Sequence, residues 1–217
     1  MNSCNIVIGV VDYDGSIPRL SDVKIGIVKP LLENSIYVGV IDQGKVYVVE
    51  RGKFKEVNLA PSKIDSLEQC FVDVEDYDLP SEIMGVVYSS IVEAVNARFI
   101  YHCLSYGLLS LARGTVEAVV DARLRILDEF PELVPRLGMK FKVSTTLDIA
   151  GVYPINKLSK IIITGAYKLS LDNTPIWIER EKGFSSLVEI SCLAASSQKL
   201  YDEIYDLLLE GINHLRV

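Results

Sequence analysis

The sequence predicts an α/β chain whose helices and strands form α+β layers around one core. Three observations carry this: β-branched runs recur between residues 6 and 50, a helical periodicity sets in near residue 89, and an amphipathic helix closes the chain. At 217 residues and 49% hydrophobic content the chain can build one sizeable core. Residues 1–217 read as a single domain, because no repeat, low-complexity stretch or Gly/Ser linker divides them.

The first element is Ile6-Val7-Ile8-Gly9-Val10-Val11, a continuous apolar run that suits a strand buried on both faces. Ser35 to Ile41 and Lys45 to Glu50 flank Asp42-Gln43-Gly44 and predict a β-hairpin. From Ser89 to Arg113 the apolar residues Ile91, Val95, Phe99, Cys103 and Leu104 recur at helical spacing, with Gly114 where a C-terminal cap belongs, so one long helix is expected. Val116–Val120, Ile161–Ile163 and Leu187–Ala195 read as strands, and Asp128–Gly138 as a Pro-interrupted loop or short helix. Leu200, Ile204, Leu207 and Leu208 form the buried stripe of the last helix.

Charge and composition exclude several classes. A net charge of −7 argues against a nucleic-acid binder, and the basic stretch Arg51, Lys53, Lys55 is too short to reverse it. No apolar run approaches the ~20 residues of a membrane span, and Ile6–Val11 is too short for a signal-peptide core, so the expected location is the cytoplasm. Cys4, Cys70, Cys103 and Cys192 stand apart without a CxxC pair and are expected to be reduced, mostly buried thiols. His102 reads as a packed or capping helix residue. Tyr101, Tyr106, Tyr153 and Trp177 read as core and interface anchors.

The chemistry is expected at the acidic turn Asp12-Tyr13-Asp14-Gly15-Ser16, directly after the first strand. Two carboxylates, a flexible glycine and a hydroxyl suit Mg²⁺ with a phosphate oxygen, since magnesium prefers carboxylates and is often completed by the substrate's own phosphate. An ordinary solvated Asp-Gly turn is the competing reading. The turn also resembles the DxDGT opening of haloacid dehalogenase-type phosphatases, which would imply Asp12 as nucleophile and Asp14 as general acid and base; a later GDxxxD-like loop is not found.

A broader resemblance runs through roughly residues 5 to 210. The turn is similar to DPxDG[TS], Val46 to Lys53 resembles a strand ending in an Arg-Gly-Lys turn, and Leu111 to Ala118 a helix end with its following strand. Val120-Asp121-Ala122-Arg123, Leu147-Asp148-Ile149-Ala150-Gly151 and Cys192 to Ser197 complete the pattern of the inositol monophosphatase and fructose-1,6-bisphosphatase superfamily. The resemblance implies a sandwich that lacks the family's N-terminal helical layer, because only eleven residues precede Asp12. It also implies Mg²⁺ held by Asp12, Asp14 and Asp148, phosphate bound by Gly15 and Ser16, and substrate contacts from Asp121 and Arg123. Asp12, Asp14 and Ser16 would serve catalysis, with Ser16 positioning a water nucleophile.

The expected activity is Mg-dependent hydrolysis of a sugar or inositol phosphate monoester. The alternative is a non-catalytic relative acting in binding or assembly, suggested by the aspartates standing two rather than three positions apart and by the absence of the family's N-terminal glutamate. A sheet face without its helical layer predicts a homodimer or larger assembly.

Overall fold

The computed structural model describes residues 5–77, 79–133, 143–180 and 184–216. Its first half is a five-stranded antiparallel sheet in sequential order: β1 (Asn5–Val11), β2 (Val23–Pro30), β3 (Ile36–Val40), β4 (Lys45–Glu50) and β5 (Lys53–Val57). The predicted hairpin is β3–β4, and Gly44 adopts the left-handed conformation (φ 64°) that closes it.

The second sheet is mixed. It contains β6 (Phe71–Val74), β7 (Ala97–Phe99), β8 (Ala118–Asp121), β10 (Ile162–Gly165) and β14 (Cys192–Ala195) in the order β10-β14-β8-β6-β7, with β6 parallel to both of its neighbours. Two small ribbons pair β9 (Ser144–Thr145) with β13 (Glu189–Ile190), and β11 (Trp177–Arg180) with β12 (Phe184–Leu187). The expected strand at Leu187–Ala195 is therefore divided among β12, β13 and β14. Seven α-helices are described: α1 (Ser81–Val87), α2 (Ser89–Ala94), α3 (Leu104–Ala112), α4 (Arg123–Glu129), α5 (Thr146–Ala150), α6 (Tyr153–Leu158) and α7 (Gln198–His214). Much of the Asp128–Gly138 segment lies outside the described residues; α4 ends within its first two positions.

Helices α3, α5 and α6 form a layer between the two sheets, while α1, α2 and α7 cover the far face of the second. Each interface has its own apolar core, one around Leu108, Leu111, Ile149 and Ile155, the other around Val72, Ile91, Ile126 and Ile204. The middle layer sits close on the first sheet because Gly9, Gly26 and Gly39 lie in register across β1, β2 and β3. A Cβ on Gly26 would collide with the Gly151 carbonyl oxygen, and one on Gly39 would stand 2.9 Å from Ile155 N. The last helix follows its predicted stripe: Ser197 Oγ accepts from Leu200 N as N-cap, and Leu200, Ile204 and Leu208 are buried.

Two expectations are corrected. β1 is an edge strand with one face open, Ile6 being 52% exposed, so it is not buried on both faces. The long helix at Ser89–Arg113 is broken after Ala94: residues 97–99 join β6 as β7, and helix resumes at Leu104. The cause is non-local. Asp73 Oδ1 accepts from Tyr101 N (3.1 Å) and Glu75 Oε1 from Cys103 N (2.8 Å), and His102 between them takes φ 53°, which stops helix propagation.

Candidate functional site

The acidic turn leaves β1 into solvent. Asp12, Tyr13, Asp14, Gly15 and Ser16 are all exposed, and a side chain at Gly15 would meet nothing within 4 Å among the described residues. Asp14 Oδ1 accepts from both Ser16 N (2.9 Å) and Ser16 Oγ (2.6 Å), and these bonds hold its carboxyl below the usual range. The amide and hydroxyl expected to meet a phosphate are thus occupied by the neighbouring carboxylate.

Asp148 opens α5, which packs beside β1, with Ala150 O 3.3 Å from where a Gly9 Cβ would stand. Its Oδ2 accepts from Thr145 N (2.6 Å) and Thr145 Oγ1 (3.1 Å), closing a capping box. Asp12, Asp14 and Asp148 therefore lie on adjoining elements and face water. Magnesium demands near-octahedral oxygens from carboxylates that converge. Among the described residues no three His, Cys, Asp or Glu side chains are grouped so as to hold one ion.

Asp121 and Arg123 are brought together, with each other. Asp121 ends β8 and Arg123 begins α4, and both side chains are fully buried. Arg123 Nε and Nη2 donate to the two carboxylate oxygens at 2.8 and 2.7 Å, a bidentate pair. Ser144 Oγ donates to Asp121 Oδ2 (2.6 Å) and lies 2.7 Å from Arg123 Nη2. The guanidinium stacks over Tyr77 at 3.8 Å from the ring centroid, and Tyr77 in turn meets the His102 ring edge-on at 5.5 Å.

The most perturbed carboxyls belong to residues that sequence reading missed. Asp73, Glu75 and Asp76 follow one another at the end of β6, all buried, beside Asp121. Burial first, then Asp121 and Asp76, push Asp73 up to about 7, against the Tyr101 N–H that lowers it. Burial, then Asp73 and Asp121, push Glu75 up to about 8, against Arg123 and the Cys103 N–H. Among the described residues Asp73 Oδ2 and Glu75 Oε2 have no hydrogen-bond partner. Asp76 pairs instead with Arg98 at 3.2 Å. In sequence, Val72-Asp73-Val74-Glu75 alternates like a strand with one solvated face, so burial of the acids left no local signal.

A cavity of about 1140 Å³ lies elsewhere. It runs along β5, lined by Arg51, Lys53, Lys55, Tyr37 and Arg113, the last paired with Glu33 at 2.7 Å. Of the four cysteines, Cys70 and Cys192 are buried, burial pushing Cys70 up to about 12, Cys103 is half-buried, and Cys4 lies outside the described residues.

Two stacked sheets with a helical layer between them and another outside the second is an arrangement shared with solved proteins. SuhB of Mycobacterium tuberculosis matches 95% of this chain and 64% of its own, at 12% identity and a TM-score of 0.61. An inositol monophosphatase from Zymomonas mobilis matches 85% and 57% at 13% identity and 0.57. A hypothetical protein from Pyrococcus horikoshii, described as having similarities to inositol-1 monophosphatase, matches 86% and 57% at 16% and 0.57.

The chain has the inositol monophosphatase fold. It spans about three fifths of the length of these structures. No family model matches the sequence, and no curated protein matches it. Within the inositol monophosphatase fold, the acidic turn and Asp148 occupy adjoining exposed positions, while Asp121 and Arg123 are closed upon each other. No described helix is long and apolar enough to cross a membrane.

Proposed function

We propose that this chain keeps the inositol monophosphatase fold for binding or assembly and does not hydrolyse phosphate esters. The observation that supports this reading is the buried Asp121–Arg123–Ser144 network. A substrate phosphate would have to displace Asp121 from Arg123, leaving a buried carboxylate without its partner, at about 3–5 kcal/mol. Ser16 is engaged by Asp14 in the same way, and the three metal-binding candidates do not converge.

The second reading, Mg-dependent hydrolysis of a small phosphorylated substrate, draws on Asp12, Asp14 and Asp148 being exposed on packed elements. In that case the carboxylates would move together around the ion. Phosphate release from inositol 1-phosphate, fructose 1,6-bisphosphate and p-nitrophenyl phosphate, with and without Mg²⁺, separates the two. The binding reading expects wild type to match Asp148→Asn and Asp12→Asn. Metal-dependent turnover lost in both variants would replace it with the hydrolase. A phosphoaspartate trapped on Asp12 would instead identify dehalogenase-type chemistry.

A further inference from the structure

The first sheet ends at β5, whose far edge is open. Register carries Gly39 to Val46 and Val46 to Val57, so Val57, Lys55 and Lys53 share the inner side of the sheet, where α5 and α6 are seated chiefly on β1 to β4. Beyond that seat the space beneath β5 is the cavity of about 1140 Å³. Tyr37, Val48 and Val57 give it an apolar floor, and Arg51, Lys53 and Lys55 line it with positive charge. A second cavity of about 370 Å³ shares Val57, Asn58 and Leu59 with it and extends to Leu158 and Ser159, so the open space is long rather than compact.

Charge and backbone geometry both describe what fits there. Among the described residues Arg51, Lys53 and Lys55 form no ion pair, whereas Arg113 is tied to Glu33 at 2.7 Å and Glu50 accepts from Ser35 Oγ at 2.6 Å. Arg51 (φ 50°) and Gly52 (φ 75°) make the two-residue turn between β4 and β5. In such a hairpin Glu50 and Lys53 exchange backbone hydrogen bonds, and alternation makes Lys55 and Val57 bond to β4 in the same way. The N–H and C=O groups of Phe54 and Glu56 therefore point to the open edge. A strand paired there would set its residues i and i+2 opposite Lys53 and Lys55 on the cavity side, about 6.6 Å apart, a spacing that suits two acidic side chains. The residue between them would meet Phe54, 71% exposed on the other side, which suits an apolar one. A second copy of β5 is disfavoured, because antiparallel pairing centred on Phe54 sets Lys53 against Lys55. The same lysines attract an acidic strand. An extended peptide supplies both this alternation and the backbone partners, and a nucleic acid supplies neither.

We propose that β5 takes up an extended acidic segment of a partner protein as an added strand, with alternate carboxylates on Lys53 and Lys55 and an apolar side chain on Phe54. The acidic turn leaves β1 at the opposite edge of the sheet, so this holds whether or not the turn binds metal. NMR titration of the full chain with the capped peptide Thr-Glu-Val-Glu-Thr is the test. Thr-Val-Glu-Glu-Thr, of equal charge but broken alternation, is run alongside. The first peptide should bind more tightly than the second and slow hydrogen exchange at the Phe54 and Glu56 amides. Lys53→Glu/Lys55→Glu, at two exposed positions, should weaken the first about 10-fold with circular dichroism unchanged. No binding of the first peptide at millimolar concentration overturns the proposal. So do equal affinities for the two peptides, an affinity indifferent to the two lysines, or a single-stranded oligonucleotide that binds more tightly than either peptide. Should the variant fail to fold, hydrogen exchange in wild type decides: slowing at Phe54 and Glu56 supports the added strand, and unchanged exchange refutes it.

Discussion

Glu75→Gln tests the buried carboxyl cluster directly. Glu75 faces Asp73 on its own strand end, Asp121 and Arg123 from β8 and α4, and the Cys103 N–H at the start of α3. Its carboxyl rises from 4.5 to about 8. Because the folded chain holds the proton more tightly than the unfolded one, the stability this confers is fully present below about pH 4.5. It is lost as pH climbs to about 8. The rise corresponds to about 5 kcal/mol, a large share of the 5–15 kcal/mol that holds a typical domain together. With a urea dependence of about 2 kcal/mol per molar, Glu75 should lower the wild-type midpoint by about 2 M between pH 5 and pH 8.5, and Asp73 by about 1 M more. Glutamine keeps a carbonyl for Cys103 N and has no proton to lose, so the variant should lose less than half as much. Asp73, at about 7, supplies what remains. Superimposable curves for the two proteins, or a wild type that gains stability over this range, would refute the assignment.

Other changes follow from the same contacts. Arg123→Met should cost about 3–5 kcal/mol in denaturant unfolding, and adding Asp121→Asn should recover part of it, because the loss lies in a stranded carboxylate. Gly26→Ala should destabilise by about 1–3 kcal/mol through collision with the Gly151 carbonyl, whereas Gly44→Ala, with open space around it, should cost about 1 kcal/mol for its backbone conformation alone. Asp148→Ala should lower stability by about 1 kcal/mol through loss of the capping box, read as a small fall in thermal midpoint. Among the described thiols, alkylation at pH 8 followed by mass spectrometry should modify Cys103 before Cys70 and Cys192.

Much of the fold was legible where local chemistry decides it. Asp42-Gln43-Gly44 specifies the hairpin, and the Leu200, Ile204, Leu208 stripe behind Ser197 specifies the last helix. Periodicity failed between residues 95 and 103 because Asp73 and Glu75, 28 positions before the amides they capture, interrupt what Ile91, Val95 and Phe99 suggest. β1 misled for another reason: an apolar strand at the edge of a sheet and one buried between layers have the same composition. At the candidate site, the acidic turn and Asp148 could be picked out by residue type. That Asp121 and Arg123 would neutralise one another could not, since the pairing depends on how α4 leaves β8 and on Ser144 from a distant ribbon.

The glycine row across β1, β2 and β3 divides the labour of the first sheet. Helices α5 and α6 are seated by main chain against main chain, at Gly9, Gly26 and Gly39. The opposite side chains of those same strands take no part in that seating. The two sides can therefore be rewritten independently: a polar outer surface could be installed by design while the interior architecture stayed fixed by three residues that have no side chain to change.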